Sequence, residues 1–529
     1  MLVKLLCLHC SAHKSIDKNS NGRESGDLVY VVYGDRKKGR VSGLVVPCPG
    51  SWTAIREDMS EKNIFAELDP IFHPRSLALI GASGKPGKIG RVLTERFLET
   101  GFQKFYPVNP GETEILGAKA YPTVLDIPGP VDMAIILTPT DSALAAVKQC
   151  AAKGAKAIVI TTSGFAEAGE EGKALQKEMV RIARESGVRI VGPNCVGIYC
   201  PSSKLPFPLG AGQEAGSVGV VSQSGFFADY LTLTATGNGI GFSKAISCGN
   251  ESDLNATDFL EYLGEDPETE TIVAYLEGVA NGRRFYDVAK NVSKKKPIIL
   301  WKGGITEGGA KAAVSHTGAL AGSRPVWEGA LKQAGIVNVA SFEEALDCLY
   351  LFRHQPLPSG KRIGIISGPG GTAVGTTDMC LQLGLQVPQL SRHTLERLRK
   401  IMPRVGGSVN NPIDLSIASM VAPHIYRDAL RVTAEDENVD MLLVIAVIGG
   451  ERLRDLIVEA MSEIKAKKPI AVTVMAGSMQ SVAQDFPLLL RSGISVYSDA
   501  ARAVKALHKL SEYARFRARW PDTGKSKES

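Results

Sequence analysis

Ser76-Leu77-Ala78-Leu79-Ile80-Gly81-Ala82-Ser83-Gly84-Lys85-Pro86-Gly87 is the stretch that decides the fold. Residues 76–80 are a short apolar run closed by glycine, the pattern of a strand buried on both faces. Glycines at 81, 84, 87 and 90 come next, then a helix-like segment over 91–98. A Gly-rich turn between strand and helix gathers bare N–H groups and the positive end of a helix dipole, which cradles phosphate. The same succession recurs down the chain. Residues 133–137 and 157–162 are buried runs, each with a helical stretch after it. The run 218–222 turns through Ser222-Gln223-Ser224-Gly225 into a helix expected near Phe226, and 362–367 turns through Gly368-Pro369-Gly370-Gly371. Further apolar runs at 271–276, 297–301, 441–448 and 470–474 complete the series. Strands alternating with helices at this spacing predict parallel, doubly wound sheets. The expected fold class is α/β, with three consecutive doubly wound domains over about 59–200, 215–352 and 360–515. Linkers rich in Pro, Ser and Gly lie near 201–216 and 353–361. A charged tail, 516–529, is expected to fray.

The glycine spacing of the first turn fits a dinucleotide as well as any other phosphate ligand. An NAD site needs an Asp or Glu roughly 20 residues on, to hold the ribose hydroxyls. Here the second strand, 105–108, ends in Asn109-Pro110-Gly111. The acid is missing, which argues against a nicotinamide-dependent oxidoreductase.

Composition narrows the class further. The chain has 529 residues, 44% hydrophobic and 22% charged, as expected of a globular protein of about three domains. A net charge of +6 is small on this length. Lys294-Lys295-Lys296 is a short basic run, and no nucleic-acid face is expected from it. Nine cysteines without framework spacing point to a reducing, cytoplasmic setting. No apolar stretch reaches the roughly 20 residues that span a bilayer.

Residues 1–58 differ from the rest of the chain. Residues 1–8 are apolar but too short for a convincing signal sequence, and 11–26 is polar and reads as loop or disorder. Residues 28–33 could form one strand, with no obvious partner nearby. Cys7 and Cys10, with His9 and His13, have the spacing of half a zinc site. Four ligands and usually a second pair are needed, so no metal is expected. The blander reading takes Met59 as the natural start and 1–58 as an unassigned extension.

One further stretch carries chemistry. After the strand 297–301 come Lys302-Gly303-Gly304 and, later, Ser315-His316-Thr317-Gly318-Ala319-Leu320-Ala321-Gly322. A single imidazole stands among glycines and small residues, without an apolar helical stripe, where a phosphoryl group could reach it. This segment resembles the phosphohistidine segment of the nucleoside-diphosphate-forming acyl-CoA synthetases, the ADP-forming acetate–CoA ligases that are relatives of succinyl-CoA synthetase. The resemblance extends over about 64–515 and does not cover 1–58.

The resemblance implies a Rossmann-like CoA-binding domain followed by two flavodoxin-like ligase domains. It implies His316 as the phosphorylated residue and Glu277, at the end of the strand 271–276, as the carboxylate that orients it. Coenzyme A would be lined by Gly81, Ser83, Gly84, Lys85 and Gly87, by Asn109 and Pro110, by Thr138 and Pro139, by Ser163 and Gly164, and by Asn194 and Cys195. Phosphate would meet Ser222, Gln223, Ser224 and Gly225, where hydroxyls and N–H groups stand at a helix N-terminus. The loop after Ile448, leading to Glu451, would be a second such terminus. Cys195 is not expected to be a nucleophile, since no His or acid neighbours it in sequence and the family uses a phosphoryl route. The resemblance finds no counterpart of an ATP-grasp region here. It therefore implies an α subunit that acts in a hetero-oligomer with an ATP-grasp β subunit, which would hold ADP or ATP and Mg. Phosphate, acyl-CoA and a small carboxylic acid would be the substrates. The alternative is a non-catalytic CoA-binding or sensing protein that has kept the fold.

Overall fold

The computed structural model describes residues 64–520 apart from 312–322, 403–405, 417, 418, 420, 421, 423, 449, 450, 465, 466, 477 and 478, and two strands of the N-terminal region. The chain divides into two compact units, 1–63 and 64–529.

In the first unit β1 (Leu28–Asp35) and β2 (Arg40–Pro47) form an antiparallel hairpin, with Leu28 opposite Pro47 and Asp35 opposite Arg40. This corrects the expectation that 28–33 has no partner. The valines at 41, 45 and 46 favour a strand. Cys7, His9, Cys10 and His13 lie outside the described residues.

The second unit holds three parallel sheets. The first consists of β3 (Leu77–Ile80), β4 (Phe105–Val108), β5 (Met133–Ile136), β6 (Ala157–Ile160) and β7 (Arg189–Val191), in the order β4-β3-β5-β6-β7. Helices α1 (Ile64–Phe72), α2 (Ile89–Thr100), α3 (Thr140–Lys153) and α4 (Glu170–Glu185) accompany it. Its strands are short and buried along nearly their whole length because helices cover both faces.

The second sheet begins with a short antiparallel edge strand, β8 (Ile198–Tyr199). Its parallel strands are β9 (Ala215–Ser222), β10 (Phe242–Ser247), β11 (Thr271–Leu276), β12 (Ile298–Lys302) and β13 (Val337–Val339), in the order β10-β9-β11-β12-β13. Its helices are α5 (Gly225–Gly237), α6 (Ala256–Glu265), α7 (Gly282–Ser293), α8 (Arg324–Ala334) and α9 (Phe342–His354).

The third sheet has β14 (Ile363–Ser367), β15 (Ile413–Asp414), β16 (Met441–Ile448), β17 (Ile470–Ala476) and β18 (Ser495–Tyr497), in the order β15-β14-β16-β17-β18. Helices α10 (Gly370–Gln382), α11 (Arg392–Ile401), α12 (His424–Ala434), α13 (Glu451–Glu463), α14 (Met479–Arg491) and α15 (Ala500–Arg517) flank it. Counted from its own first parallel strand, each sheet has the order 2-1-3-4-5. Ligands of such sheets gather at the carboxyl ends of the strands, where the order reverses.

The second and third sheets match bond for bond at their central strand. Gln223 N donates to Tyr275 O at 3.0 Å, and Gly368 N donates to Ile445 O at 3.1 Å. Cys248 N donates to Ser222 O at 2.7 Å, and Leu415 N to Ser367 O at 2.8 Å. Ser222 therefore corresponds to Ser367, Gln223 to Gly368 and Ser247 to Asp414. Counting on along the paired strands, Glu277 corresponds to Val447 and Lys302 to Val474.

The hydrophobic cores run across domain boundaries. One apolar cluster joins residues of the second and third sheets, such as Val273 and Leu442, and another joins the first and second, such as Leu79 and Phe259. The chain end is part of this packing: Phe516 is buried, and a Cβ on Gly335 would fall within 2.3 Å of its ring. The expected frayed tail from 516 thus begins too early, because α15 continues to Arg517 and Tyr513 donates to Ser293 O at 3.0 Å. Among the described residues no helix is long and apolar enough to cross a membrane.

Candidate active site

Five loops leave the carboxyl edge of the first sheet, and they carry all the residues expected to line coenzyme A. Gly81 follows β3 at φ +95°, and a Cβ there would stand 3.2 Å from the backbone of Leu137, so only glycine lets the two loops approach. Ser83 Oγ accepts from Lys85 N at 3.1 Å, and Arg91 donates to Gly84 O at 2.7 Å, which holds the turn before α2. Gly90 lies under that turn, where a Cβ would meet Gly81 O at 2.2 Å. Lys85 and Gly87 are exposed. Asn109 donates from Nδ2 to Ala82 O at 2.8 Å and accepts from Gly111 N at 2.9 Å. The side chain at the position of a ribose-binding acid therefore ties two loops together.

Thr138, with Pro139 beside it, follows β5, and among the described residues its buried hydroxyl has no hydrogen-bond partner. Ser163 O accepts from Thr140 Oγ1 at 2.7 Å, and Gly164 N donates to Glu167 Oε1 at 2.6 Å. Asn194 adopts φ +58° and donates to Asn250 Oδ1 at 3.3 Å, joining the first domain to the second. Cys195 donates its thiol to Ile160 O at 3.3 Å, and burial pushes it up to about 12. A thiol so held is no nucleophile at neutral pH. An orphaned hydroxyl, a glycine-lined approach and two nearby lysines (Lys85 and Lys88) fit a phosphate-bearing ligand.

A second set of groups surrounds a cavity of about 630 Å³ in the second domain. Its wall includes Ser224, Tyr275, Glu277, Trp301, Lys302 and Gly303. Glu277 comes to it because β11 ends at Leu276 and the chain turns out at the next residue. Gln223 enforces that turn. Its Oε1 accepts from Glu277 N at 2.5 Å and Gly278 N at 3.2 Å, and its Nε2 donates to Gly278 O at 2.9 Å. The Tyr275 hydroxyl donates to Glu277 Oε1 at 3.2 Å, and desolvation together with this carboxylate raises Tyr275 to about 12. Glu277 is 4% exposed.

The four residues expected to meet phosphate separate into two roles. Ser222 Oγ donates to Ser224 O at 2.6 Å and accepts from Ser224 N at 3.1 Å, so this hydroxyl shapes the turn. Gln223 is spent on Glu277 and Gly278. Ser224 lines the cavity and caps α5 by accepting from Phe227 N at 3.3 Å. Gly225 begins that helix next to Ser247, whose Oγ lies 3.4 Å from where a Gly225 Cβ would be. Sequence reasoning missed the part that Tyr275 and Lys302 play in the wall. The two-residue alternation from Tyr275 to Glu277 in a strand was the available signal.

His316 lies outside the described residues. The chain on either side of that stretch borders the cavity, at Gly304 to Gly309 and again at Arg324. Gly449 and Gly450, of the expected second anion-binding helix start, are also outside the described residues.

Such a fold, with glycine-rich loops on one sheet and a buried carboxylate with a lysine at the end of the next, defines a doubly wound α/β protein with candidate ligand sites at its strand ends. Three family models match the chain in order: a CoA binding domain at 75–201, a succinyl-CoA ligase like flavodoxin domain at 215–352, and a ligase-CoA domain at 363–520. The α subunit of acetate–CoA ligase [ADP-forming] II of Pyrococcus furiosus is 40% identical over 454 residues, covering 85% of this chain and 98% of that one. The 4-hydroxybutyrate–CoA ligase [ADP-forming] of Nitrosopumilus maritimus is 32% identical over 452 residues, and the match covers 84% of this chain and 64% of that one. Among solved structures, a dinucleotide forming acetyl-coenzyme A synthetase 1 of Ca. Korarchaeum cryptofilum, in complex with phosphate and ADP, is 35% identical with a TM-score of 0.79, over 86% of this chain and 98% of that one. The chain belongs to the NDP-forming acyl-CoA synthetase family, with the domain content of its α subunits. This membership supports an acid–CoA ligase over a non-catalytic CoA-binding protein.

Proposed function

We propose that the chain catalyses the acyl- and phosphoryl-transfer half of the reaction acyl-CoA + ADP + phosphate ⇌ acid + CoA + ATP. An ATP-grasp partner subunit carries ADP or ATP and Mg and completes the enzyme. Coenzyme A lies along the carboxyl edge of the first sheet, on Gly81, Ser83, Gly84, Lys85, Gly87, Asn109, Pro110, Thr138, Pro139, Ser163, Gly164, Asn194 and the backbone around Cys195. Phosphate attacks the thioester carbon, the C–S bond breaks, and acyl phosphate forms with release of the CoA thiol. His316 then takes the phosphoryl group and the acid leaves. Phosphohistidine delivers the group to ADP on the partner.

The observation that supports this reading is the buried Glu277 carboxylate, which accepts from the Tyr275 hydroxyl while Gln223 holds the Glu277 backbone, in a cavity that also receives the capped start of α5. A carboxylate that accepts from one ring nitrogen fixes the tautomer and leaves the other nitrogen as nucleophile. The ring N–H then stays on Glu277's side while the other nitrogen bonds phosphorus. Ser224 and the first turn of α5 stabilise the anion in place.

The test is labelling with radioactive phosphate and a panel of acyl-CoAs, with and without a candidate partner subunit. The chain is expected to acquire acid-labile, base-stable label, and His316→Asn is expected to abolish it while CoA binding persists. A variant that still forms acid and ATP from acyl-CoA would refute the phosphohistidine.

A further inference from the structure

We propose that Lys302 is the cation of the phosphoryl site, its ammonium offsetting the charge of the group handled beside Glu277. The proposal rests on the phosphohistidine reading above. Among the described residues, four charged side chains line the cavity. Arg324 and Glu328 pair with each other at 2.7 Å on the exposed rim. Glu277 and Lys302 are the interior pair, and Lys302 is 3% exposed.

Lys302 ends β12 level with Leu276, one residue before Glu277. Its Nζ donates to the backbone carbonyl of Glu277 at 2.6 Å and to the carbonyl of Gly303. It also stands 4.8 Å from the centroid of the Trp327 ring. These partners are neutral acceptors and an aromatic face. They return less than the solvation that an ammonium gives up on burial, and desolvation lowers Lys302 to about 8.

The fold does not require a lysine at this place. The third sheet builds the same strand end with Val474, a buried apolar residue. Where that sheet has Val447 and Val474, the second has Glu277 and Lys302. A cation kept at a cost, next to a carboxylate, makes physical sense where a dianion must come to that carboxylate. Two negative groups in one dry cavity repel strongly, and an ammonium on the wall reverses the local field.

In the transfer step the imidazole nitrogen attacks phosphorus and the P–O bond to the acyl group breaks. The carboxylate leaves with that electron pair. The charge of −2 on acyl phosphate becomes −1 on the acid and −1 on the phosphorylated imidazolium. Lys302 gives up no proton; it supplies field alone.

The experiment uses the chain with its partner subunit, as wild type, Lys302→Met, Lys302→Arg and His316→Asn. Base-stable label from radioactive phosphate is followed with acyl-CoAs from acetyl-CoA to phenylacetyl-CoA, between about pH 6 and about pH 10. Wild-type labelling is expected to fall as pH rises through about 8, where the ammonium loses its proton. Lys302→Met should lower the rate at neutral pH by about 100-fold. Lys302→Arg should retain label and carry it to higher pH, because guanidinium stays charged. CoA affinity should be the same in all four.

A Lys302→Met enzyme that labels within about twofold of wild type would overturn the proposal, since one lost charge contact predicts far more. So would an arginine variant that keeps the basic limb at the wild-type pH. If wild type takes no label, or His316→Asn labels equally, the phosphohistidine reading itself has failed and this inference falls with it.

Discussion

The second and third domains are built on one plan and do different work. Both carry a serine at the end of the central strand, a two-residue turn and a glycine that starts a helix: Ser222-Gln223-Ser224-Gly225 and Ser367-Gly368-Pro369-Gly370. In both, the serine hydroxyl donates across the turn, to Ser224 O at 2.6 Å and to Pro369 O at 2.9 Å. The differences begin one residue later. Gln223 reaches out to hold Glu277, whereas at Gly368 a Cβ would stand 2.1 Å from the Tyr426 hydroxyl. The start of α5 faces the neutral Ser247. The start of α10 faces the Asp414 carboxylate, which would lie 2.5 Å from a Gly370 Cβ. A carboxylate at a helix start satisfies the dipole itself and opposes a second anion, and a hydroxyl leaves the place open. At the two matching strand-end positions one repeat therefore has Glu277 and Lys302, and the other has valine.

Three measurements would break or sharpen this contrast. The largest effect is expected from Glu277→Gln, which should slow transfer of label from the phosphoenzyme to ADP about 100-fold, as loss of a positioned acid–base partner does. Unchanged turnover in rapid-quench labelling would mean that the charged strand end is as idle as the valines. Gly368→Ala should destabilise the third domain by about 1–3 kcal/mol through overpacking against Tyr426, with labelling at His316 retained below the melt. A thermal melt together with label counting checks this, and a loss of label at full stability would bring the third domain into the chemistry. The smallest effect belongs to Ser224→Ala, expected to cost about 1 kcal/mol in denaturant unfolding through the lost cap of α5. A shift indistinguishable from zero would show that Ser224 is not what holds that helix start.

Much of the architecture is legible in the sequence because parallel strands buried on both faces are written as continuous apolar runs. The runs at 77–80, 133–136 and 157–160 are such strands. The hairpin partner of 28–35 is not legible, since alternation in Arg40–Pro47 is imperfect and a single hairpin leaves no periodic echo elsewhere. The chain end is misjudged at Phe516 because the charge in 515–529 outweighs Phe516 and Trp520 when read along the chain. In the site, Glu277 and the Ser222–Gly225 turn are found by resemblance. The inward direction of Ser222 and Gln223 is not, since a side chain that shapes a turn and one that meets a ligand are written with the same letters.

By itself the sequence determined the strand-and-helix alternation, the glycine-rich turns and the missing ribose acid, all of which follow from local pattern and backbone chemistry. Only the tertiary structure decided what converges. Glu277 and Lys302 are 25 residues apart along the chain, yet parallel pairing of β11 with β12 sets them at the ends of adjacent strands. The matching pairing in the third sheet shows that the same backbone accepts valine at both places. Register between strands is a non-local property, and it is register that brought two charges distant in sequence to neighbouring strand ends.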